Sequence, residues 1–374
     1  MKILFVRMAG EVGGAEVYNL NLIRGFKKYF PEVEVFFVTN LPKFARQLDK
    51  LGAKTFVLPT SGIEIGTKRD FVNFFPYLPG YLFHNLKTLF KAKKEQISVV
   101  CFQGTTEKLI LTPIFKIFGL PVIWLEHGPF FAIKKAKIIR LWYKGTSLLA
   151  SRIITVSEDS KKDLEEKGIR KVVCIQTGMD RERFKGVKEF KKFKDLIVGY
   201  AGTICWEKGI RDFVEVAFAI TQKRKNVKFL LVGDGPQLAW AKRAVKTLGI
   251  EKSFVFTGWQ KNVFPYLAPM AVFFFPTLHL EGFSLALLES MGMGIPVVAR
   301  DIGGNRELVV PGKTGYLFKE ESSEEVAEII ANLLKDEKKR REKGKAGQER
   351  VEKYFSEERW IRRIYRIFKE VVKK

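Results

Sequence analysis

The chain has 374 residues, 46% of them hydrophobic and 29% charged, so it can form two domains that each bury a core, and its composition excludes a long disordered tail. Its formal net charge of +25 predicts a polyanionic partner: nucleic acid, an anionic membrane surface or a phosphorylated ligand. Its three cysteines, Cys101, Cys174 and Cys205, lie far apart without a CxxC spacing, which favours a reducing, cytoplasmic compartment and argues against structural zinc.

The first half of the chain alternates short apolar runs with amphipathic stretches of helix length. The first apolar run ends after a few residues at a glycine-rich turn, which indicates a strand rather than a signal peptide. No apolar run approaches the ~20 residues that are needed to span a bilayer. The predicted strands are Ile3–Val6, Glu34–Val38, Thr55–Leu58, Val99–Phe102, Val122–Leu125, Ile153–Val156 and Val172–Ile175. This alternation predicts a parallel sheet with helices on both faces.

A lysine-rich linker near Gly186–Asp195 precedes a second series of the same kind. Its predicted strands are Leu196–Tyr200, Phe229–Val232, Phe254–Thr257, Val272–Phe275 and Pro296–Ala299. From Ser322 onward the pattern is helical, and it ends in an apolar stripe that needs a surface to cover. We therefore predict an N-terminal domain over 1–185, a C-terminal domain over 186–352, and a final helix over 353–374 that packs back on the first domain.

Turns that directly follow strands are the expected ligand sites of open α/β sheets. In the first half, the glycine turn Gly10–Glu16 opens a helix, and its amides around Gly13 and Gly14 suit a phosphate or a sugar hydroxyl. A tight strand-to-helix turn alone would also favour glycine. His127 follows the fifth strand directly, before a glycine, and we predict that it lies at a ligand site rather than in the core.

The second half contains two such turns. Gly202 and Thr203 follow a strand and lead to Lys208, which could reach a diphosphate or could be a solvated surface lysine. In the other turn, Glu281-Gly282-Phe283-Ser284-Leu285 opens an apolar helix whose first amides can bind phosphate. Glu289 comes about two turns after Glu281 on that apolar helix, where a carboxylate requires polar partners such as sugar or ribose hydroxyls.

Several familiar motifs are incomplete. Gly233-Asp234-Gly235 begins a GxGxxG pattern but has Leu238 in place of the third glycine, which argues against a dinucleotide cofactor. Gly312-Lys313-Thr314 resembles the end of a phosphate-binding P-loop without its first glycine, and we predict a hairpin turn there. No Asp-x-Asp pair and no metal-ligand spacing of histidines occurs, so no metal site is predicted.

Taken together in this order, these residues resemble the family 4 glycosyltransferases. Glu281-Gly-Phe-Ser-Leu-Ala-Leu-Leu-Glu289 looks like the family's E-x7-E signature, and four further segments fall in family order: Leu231–Pro236, Phe256–Gly258, Gly294–Val298 and Gly303–Glu307. The resemblance covers nearly the whole chain. It implies an α/β protein of the GT-B fold, in which two Rossmann-like, doubly wound parallel-sheet domains face each other across a cleft.

The resemblance also implies a retaining hexosyltransferase that uses a UDP-sugar or GDP-sugar and needs neither a cofactor nor a metal. Lys208 would contact the donor diphosphate, Glu281 and His127 the donor sugar, and Glu289 the ribose. Further donor-binding positions, mostly backbone, would be Gly13, Gly14, Gly202, Thr203, Gly282, Phe283, Ser284 and Leu285. The family commonly has an arginine where this chain has Thr203, so Lys208 would act alone or with help from Arg300 or Arg306.

Two stretches combine basic and aromatic residues and contain no carboxylate: Phe71–Lys94 and Pro129–Lys144. Both lie in the N-terminal domain, which the resemblance assigns to acceptor binding. In the first, Leu82, Leu86, Leu89 and Phe90 share a helical face opposite Lys87 and Lys91, a pattern suited to an anionic bilayer. This predicts a peripheral protein at the inner face of the cytoplasmic membrane and a lipid-linked or cell-envelope glycan acceptor. The alternative is a helix that packs on its own domain and exposes a solvated basic face.

Two other functions compete with glycosyl transfer. A nucleotide-sugar epimerase or a phosphorylase would keep the fold and change the reaction, although no cofactor-bearing lysine for a phosphorylase can be identified. A basic nucleic-acid-binding protein would account for the net charge, but the chain has no recognisable motif of that class and the function would leave Glu281 and Glu289 unexplained. We therefore expect no nucleic-acid partner.

Overall fold

The computed structural model describes residues 1–373 except 11–12, 61–69, 71, 74, 131–135, 190 and 192. The chain forms two compact units, Met1–Thr177 with Glu357–Lys374, and Gly178–Ser356. Residues 178–185 and 353–356, assigned by sequence to the first domain and the final helix, belong to the second unit. The reason is that the two segments run together: the Met179 amide donates to the Phe355 carbonyl at 2.8 Å.

The first unit contains a seven-stranded sheet in the order β3-β2-β1-β4-β5-β6-β7. All its strand pairs are parallel. The strands are β1 Lys2–Val6, β2 Glu34–Thr39, β3 Lys54–Val57, β4 Val99–Phe102, β5 Val122–Glu126, β6 Arg152–Thr155 and β7 Val172–Cys174. Their central members are short and apolar throughout because helices cover both faces of the sheet.

In the described part of the first unit, six helices follow strands in chain order. They are α1 Gly14–Tyr29, α2 Pro42–Lys50, α3 Leu78–Lys94, α4 Thr105–Ile117, α5 Lys137–Ser147 and α6 Glu158–Glu166. One hydrophobic cluster joins α3, α4, α5 and α6 to a single face of the sheet, with Leu89, Phe115 and Tyr143 packed among strand residues such as Trp124. The outer sides of these helices therefore all point away from that face.

The second unit contains a six-stranded sheet in the order β10-β9-β8-β11-β12-β13, again parallel throughout. Its strands are β8 Leu196–Ala201, β9 Val227–Val232, β10 Phe254–Phe256, β11 Met270–Phe275, β12 Val297–Arg300 and β13 Gly315–Phe318. The two doubly wound parallel sheets confirm the predicted fold class. The hairpin prediction at Gly312–Thr314 is wrong, since β13 pairs in parallel with β12.

The helices of the second unit alternate with its strands, and a last helix returns to the first unit. They are α7 Ile210–Lys223, α8 Leu238–Thr247, α9 Phe264–Leu267, α10 Leu285–Gly292, α11 Asn305–Leu308, α12 Ser323–Lys335 and α13 Glu337–Tyr354, followed by α14 Glu357–Val372. The apolar stripe of α14 packs against α1, with the Trp360 ring 4.9 Å from Tyr18 and the Phe368 ring 6.4 Å from Phe26.

The apolar face predicted for α3 differs from the observed one. Leu89 is fully buried in the core of the first unit, whereas Phe83 and Phe90 are 55% and 64% exposed. The sheet takes Leu89 because it follows Tyr81 and Asn85 at helical spacing on the inner side of the helix. No helix in the described part of the chain combines the length and apolarity needed to cross a membrane.

Candidate donor site and a polar cluster of the first unit

The loops after β8, β9 and β10 are joined by backbone hydrogen bonds at the carboxyl edge of the second sheet. The Gly202 amide donates to the Val232 carbonyl at 3.0 Å, and the Gly233 amide donates to the Gly258 carbonyl at 2.9 Å. A Cβ at Gly233 would lie 1.9 Å from the Gly202 carbonyl oxygen, so this close approach requires glycine. The loops at this edge, where open α/β sheets bind their ligands, are thus joined to one another by hydrogen bonds.

Lys208 and Glu281 form an ion pair at this edge. Lys208 ends the short 3-10 turn Trp206–Lys208 after β8, and Glu281 follows β11, the neighbouring strand. The Leu278 and His279 amides both donate to the Glu207 carbonyl at 2.9 Å, which ties the two loops together. The buried Thr277 hydroxyl donates to the Glu281 carboxylate at 3.3 Å. The two sequence-predicted residues are therefore direct partners.

Gly303 and Gly304 pack directly against the backbone of the loop between Glu281 and α10. The Gly304 amide donates to the Glu281 carbonyl at 3.0 Å. At the start of α10, the Ser284 hydroxyl accepts from the Leu287 amide at 3.3 Å and caps the helix. The amides before Leu287 belong to the first turn, which has no intrahelical acceptors, so they form an anion-binding helix terminus.

Glu289 follows Glu281 in the chain by about two helical turns and is buried in α10. Burial raises the pKa of its carboxyl group to about 7, against a smaller opposite effect of Arg183. The Arg183 guanidinium lies 3.9 Å from the Glu289 carboxylate and 5.0 Å from the centre of the Phe264 ring. Arg183 was not identified from the sequence, because it lies in a charged run after β7, far from Glu289 along the chain.

The raised pKa of Glu289 predicts a pH-dependent effect of Glu289→Gln. The pKa of Glu289 is higher in the folded protein than in the unfolded chain. The contribution of this carboxyl group to the free energy of unfolding is therefore fully present below its ordinary pKa of 4.5 and is lost as the pH rises through about 7. The neutral variant should therefore be more stable than wild type at pH 8, by on the order of 2 kcal/mol, and nearly equal at pH 5. Thermal unfolding at both pH values measures this, with the exposed Glu349→Gln as control, and an equal effect at both would contradict it.

The position of the family arginine is occupied by Thr203, which is exposed after Gly202. The two arginines considered as substitutes have other partners: Arg300 pairs with Asp212 and donates to the Lys319 carbonyl at 2.7 Å. Arg306 pairs with Asp301 on both its side chain and its carbonyl. Lys208 is therefore the cation that the described part of this loop system presents beside Glu281.

His127 lies in the first unit, directly after β5. It is half-buried, and its Nε2 atom lies 3.0 Å from the Gln103 Oε1 atom. Burial, and secondarily the positive charges of Arg7 and Lys108, hold the pKa of His127 well below its ordinary value. The imidazole is therefore neutral near pH 7, which suits a hydrogen-bonding role better than an ionic one.

The glycine turn before α1 is partly satisfied by its own helix. The Glu16 carboxylate accepts from the Gly13 amide at 2.8 Å and from the Arg7 side chain at 2.5 Å. The Gly13 amide is thus occupied in this structure, whereas Gly14 begins α1 and is exposed. Glu11 and Val12, which belong to the same predicted turn, lie outside the described residues.

The sequence-predicted residues fall into two groups. The second unit brings together Lys208 and Glu281, with the Gly282–Leu285 loop and Glu289 following Glu281 directly; the first unit contains Gly13, Gly14 and His127. Residues missed from the sequence are Thr277, Arg183, Asn19 and Gln103, none of which has a distinctive motif. Among the described residues, no three acidic, histidine or cysteine side chains cluster as metal ligands would.

Two protein-family models match adjoining parts of the chain. The model described as Glycosyltransferase Family 4 matches residues 12–183, and the model described as Glycosyl transferases group 1 matches residues 180–350. Together they run through both units and include His127, Lys208, Glu281 and Glu289.

Curated relatives agree with these matches. N-acetyl-alpha-D-glucosaminyl L-malate synthase of Bacillus anthracis is 36% identical over 166 residues, which is 44% of this chain and 43% of the relative. UDP-Gal:alpha-D-GlcNAc-diphosphoundecaprenol alpha-1,3-galactosyltransferase of Escherichia coli is 27% identical, over 63% of this chain and 66% of the relative. The alignments thus span under half of the first relative and just under two thirds of the second.

The fold also matches solved structures over its whole length. The structure of Anabaena HepE in complex with UDP-glucose superposes with a TM-score of 0.82, covering 99% of this chain and 100% of HepE. The sequences are 20% identical, so the likeness establishes the shared architecture.

Proposed function

The chain is a glycosyltransferase of family 4, and from this premise we propose that it moves a sugar from a nucleotide-diphosphate sugar to an acceptor hydroxyl with retention of the anomeric configuration. The observation that carries the proposal is the Lys208–Glu281 ion pair beside the opening of α10. It supplies a cation for a diphosphate and a carboxylate for sugar hydroxyls next to a helix terminus that favours anions.

The ion pair has to exchange partners when the donor binds. In the free protein Glu281 neutralises Lys208, and both side chains keep some solvent exposure, 14% and 26% respectively. A diphosphate has two or more negative charges, so it competes with the single carboxylate for the ammonium group. Lys208 then turns to the diphosphate, and Glu281 is released to accept hydrogen bonds from the donor sugar.

Catalysis is then stabilisation of the leaving group. Negative charge grows on the departing diphosphate, and Lys208 with the first amides of α10 is aligned to stabilise it before the reaction begins. Glu289 holds the ribose, and His127 in the first unit contacts a sugar hydroxyl. We propose a same-face mechanism in which a leaving phosphate oxygen takes the proton of the acceptor hydroxyl, so that no enzymic nucleophile is needed.

We propose a lipid-linked glycan of the cell envelope as the acceptor. One support is the name of the Escherichia coli relative, which describes a transferase acting on a sugar linked to diphosphoundecaprenol. The other is a surface of the first unit, the basic apolar surface, made of the outer sides of α3, α4 and α5. Its exposed apolar side chains are Phe83, Leu86, Phe90, Ile117, Phe118, Ile138 and Leu141.

The charges of the basic apolar surface fit an anionic bilayer. Neither α3 nor α5 contains a carboxylate, and the one in α4, Glu107, is buried. The basic residues of the three helices, apart from the buried Lys108, are Lys87, Lys91, Lys93, Lys94, Lys116, Lys137, Arg140 and Lys144. Aromatic side chains among cations favour the lipid headgroup region, and the cations favour its charge. Lys134 and Lys135, which the sequence adds here, lie outside the described residues.

This arrangement predicts salt-sensitive binding to anionic vesicles. Basic residues near an anionic surface contribute ~1 kcal/mol each, so Lys87→Glu with Lys91→Glu should weaken co-sedimentation with phosphatidylglycerol-containing vesicles by about tenfold or more. Phe83→Ser with Phe90→Ser should weaken it at every salt concentration. The matched control is the same charge reversal on α13, Lys338→Glu with Lys345→Glu. Equal sedimentation of all variants would exclude this surface as the membrane contact.

A donor screen tests the proposed reaction itself. Purified protein is incubated with UDP- and GDP-sugars and undecaprenyl-diphosphate-linked sugars, and release of UDP or GDP is measured with and without EDTA. We expect turnover with one donor, and we expect chelation to leave most of it, since the charge stabilisation comes from Lys208 and amides. Complete loss restored by Mn²⁺ would contradict this mechanism, and sugar epimerisation without acceptor would favour the epimerase.

A further inference from the structure

A buried amide pair lies beside His127 at the carboxyl edge of the first sheet. Asn19 extends from α1 and Gln103 directly follows β4, and the two side chains are 0% and 4% exposed. They form two hydrogen bonds with each other: Asn19 Nδ2 donates to Gln103 Oε1 at 2.8 Å, and Gln103 Nε2 donates to Asn19 Oδ1 at 2.7 Å. Gln103 Oε1 also lies 3.0 Å from His127 Nε2.

The orientation of both amides follows from a backbone carbonyl. Asn19 Nδ2 lies 2.8 Å from the Ala15 carbonyl oxygen, which can only accept, so this end of Asn19 is the NH₂ group. The Gln103 atom that it meets must then be the oxygen, since two NH₂ groups cannot bond to each other. The oxygen that faces His127 can also only accept. His127 Nε2 must therefore carry the proton.

We infer that Asn19 and Gln103 are positioning residues that hold His127 as the Nε2–H tautomer, leaving Nδ1 as a hydrogen-bond acceptor for a substrate hydroxyl. Tyr18 assists by fixing the plane of the ring, because its own ring meets the imidazole edge to face at 4.9 Å. Burial and the charges of Arg7 and Lys108 oppose a second proton, so Nδ1 keeps its lone pair near neutral pH.

The chemical consequence is a direction for the hydrogen bond. A histidine with a free choice of tautomer can donate to an ether or carbonyl oxygen or accept from a hydroxyl, whereas this histidine is set to accept. Its ligand must therefore present a hydrogen-bond donor, and a sugar does so with its hydroxyl groups. This last step rests on the proposed function, while the tautomer itself does not depend on any substrate.

The tautomer can be measured directly in the ligand-free, full-length protein. The chain has three histidines, so ¹⁵N-labelled imidazole spectra are simple, and His127→Gln assigns the signal of interest. We expect a protonated Nε2 and an unprotonated Nδ1 in the wild type. A protonated Nδ1, or signals averaged between the two tautomers, would overturn the inference without any variant.

Two substitutions of Gln103 separate positioning from packing. Gln103→Met removes the acceptor at nearly constant volume, and the two tautomers should then average. Gln103→Glu keeps an acceptor and adds a negative charge beside the ring, so it should retain Nε2–H and raise the pKa of His127 against the opposing Arg7 and Lys108. The control is Asn21→Ala, a buried amide of the same helix that accepts from Arg24 instead. An unchanged tautomer in Gln103→Met would contradict the inference.

A transfer assay completes the test. Gln103→Met should lower kcat/KM by about 5- to 10-fold, the cost of a misdirected hydrogen bond, while Asn21→Ala should not. If no donor is turned over but the wild-type imidazole shows the expected tautomer, the proposed function fails and the positioning stands. If transfer occurs and the tautomer is wrong, the positioning fails alone.

Discussion

Lys208→Met and Glu281→Gln are each expected to lower the rate of sugar transfer by about 10²–10³-fold while the protein stays folded. The magnitude is that of removing one preorganised group that stabilises transition-state charge. Both side chains lie in loops at the sheet edge and are partly exposed, so neither fills the core. Release of UDP or GDP measures the rate, and thermal unfolding measures the fold.

The ion pair adds a sharper expectation. Because each residue neutralises the other in the free protein, Glu281→Gln removes the competitor for Lys208 and should bind free UDP or GDP more tightly than wild type, even though transfer is lost. Lys208→Met should bind it more weakly. The matched control is an exposed pair on α13, Lys345→Met and Glu349→Gln, which should change neither property. Near-wild-type transfer in either Lys208→Met or Glu281→Gln would contradict the assignment of the site.

Gly304→Ala is expected to lower kcat/KM by up to ~10²-fold, although residue 304 does not itself contact the ligand. A Cβ at this position would lie 2.1 Å from the Gly282 carbonyl oxygen and 3.2 Å from the Phe283 Cα atom. Both are backbone atoms, so the loop that carries Glu281 and opens α10 must move, and displacement of catalytic groups by about 1 Å has effects of this size. The backbone angle of Gly304, φ −63°, is open to alanine, so the contact alone causes the loss.

The control for Gly304→Ala is Gly145→Ala in α5, where a Cβ would meet nothing within 4 Å. Its transfer rate should match that of wild type. If Gly304→Ala also retains full activity, the loop between Glu281 and α10 does not hold the donor and the binding site must be sought elsewhere on the sheet edge.

The fold was largely predictable because most of its strands are inner members of parallel sheets. Such strands are buried on both faces and appear in the sequence as short, continuous apolar runs, and the predicted runs overlap β1 to β12 by most of their residues. The predicted turns also fall directly after strands, as they do at Lys208 and Glu281. The apolar runs and the turns that follow them each depend on residues that are close in the sequence, so both can be predicted from the sequence alone.

What the sequence could not supply are pairings between distant segments. Leu89 is turned toward the sheet instead of joining Leu86 and Phe90 on the outer side of α3, because it packs with strand residues that are distant in the chain. The hairpin expected at Gly312–Thr314 failed for the same reason, since local turn chemistry does not say which strand the following segment will join. Arg183 meets Glu289 only once the second unit has formed.

The return of α14 to the first unit has a consequence for how the protein is made. During synthesis, Tyr18 and its neighbours on α1 leave the ribosome early, but the helix that covers them through Trp360 and Phe368 follows only after all of Gly178–Ser356. At typical elongation rates, the synthesis of Gly178–Ser356 takes on the order of ten to forty seconds. Throughout it, the nascent first unit exposes the apolar side of α1 that α14 will cover, while the second unit can already fold as an uninterrupted segment. Synthesis of the first unit therefore starts before that of the second unit, but its fold is completed only after the second unit has been synthesised.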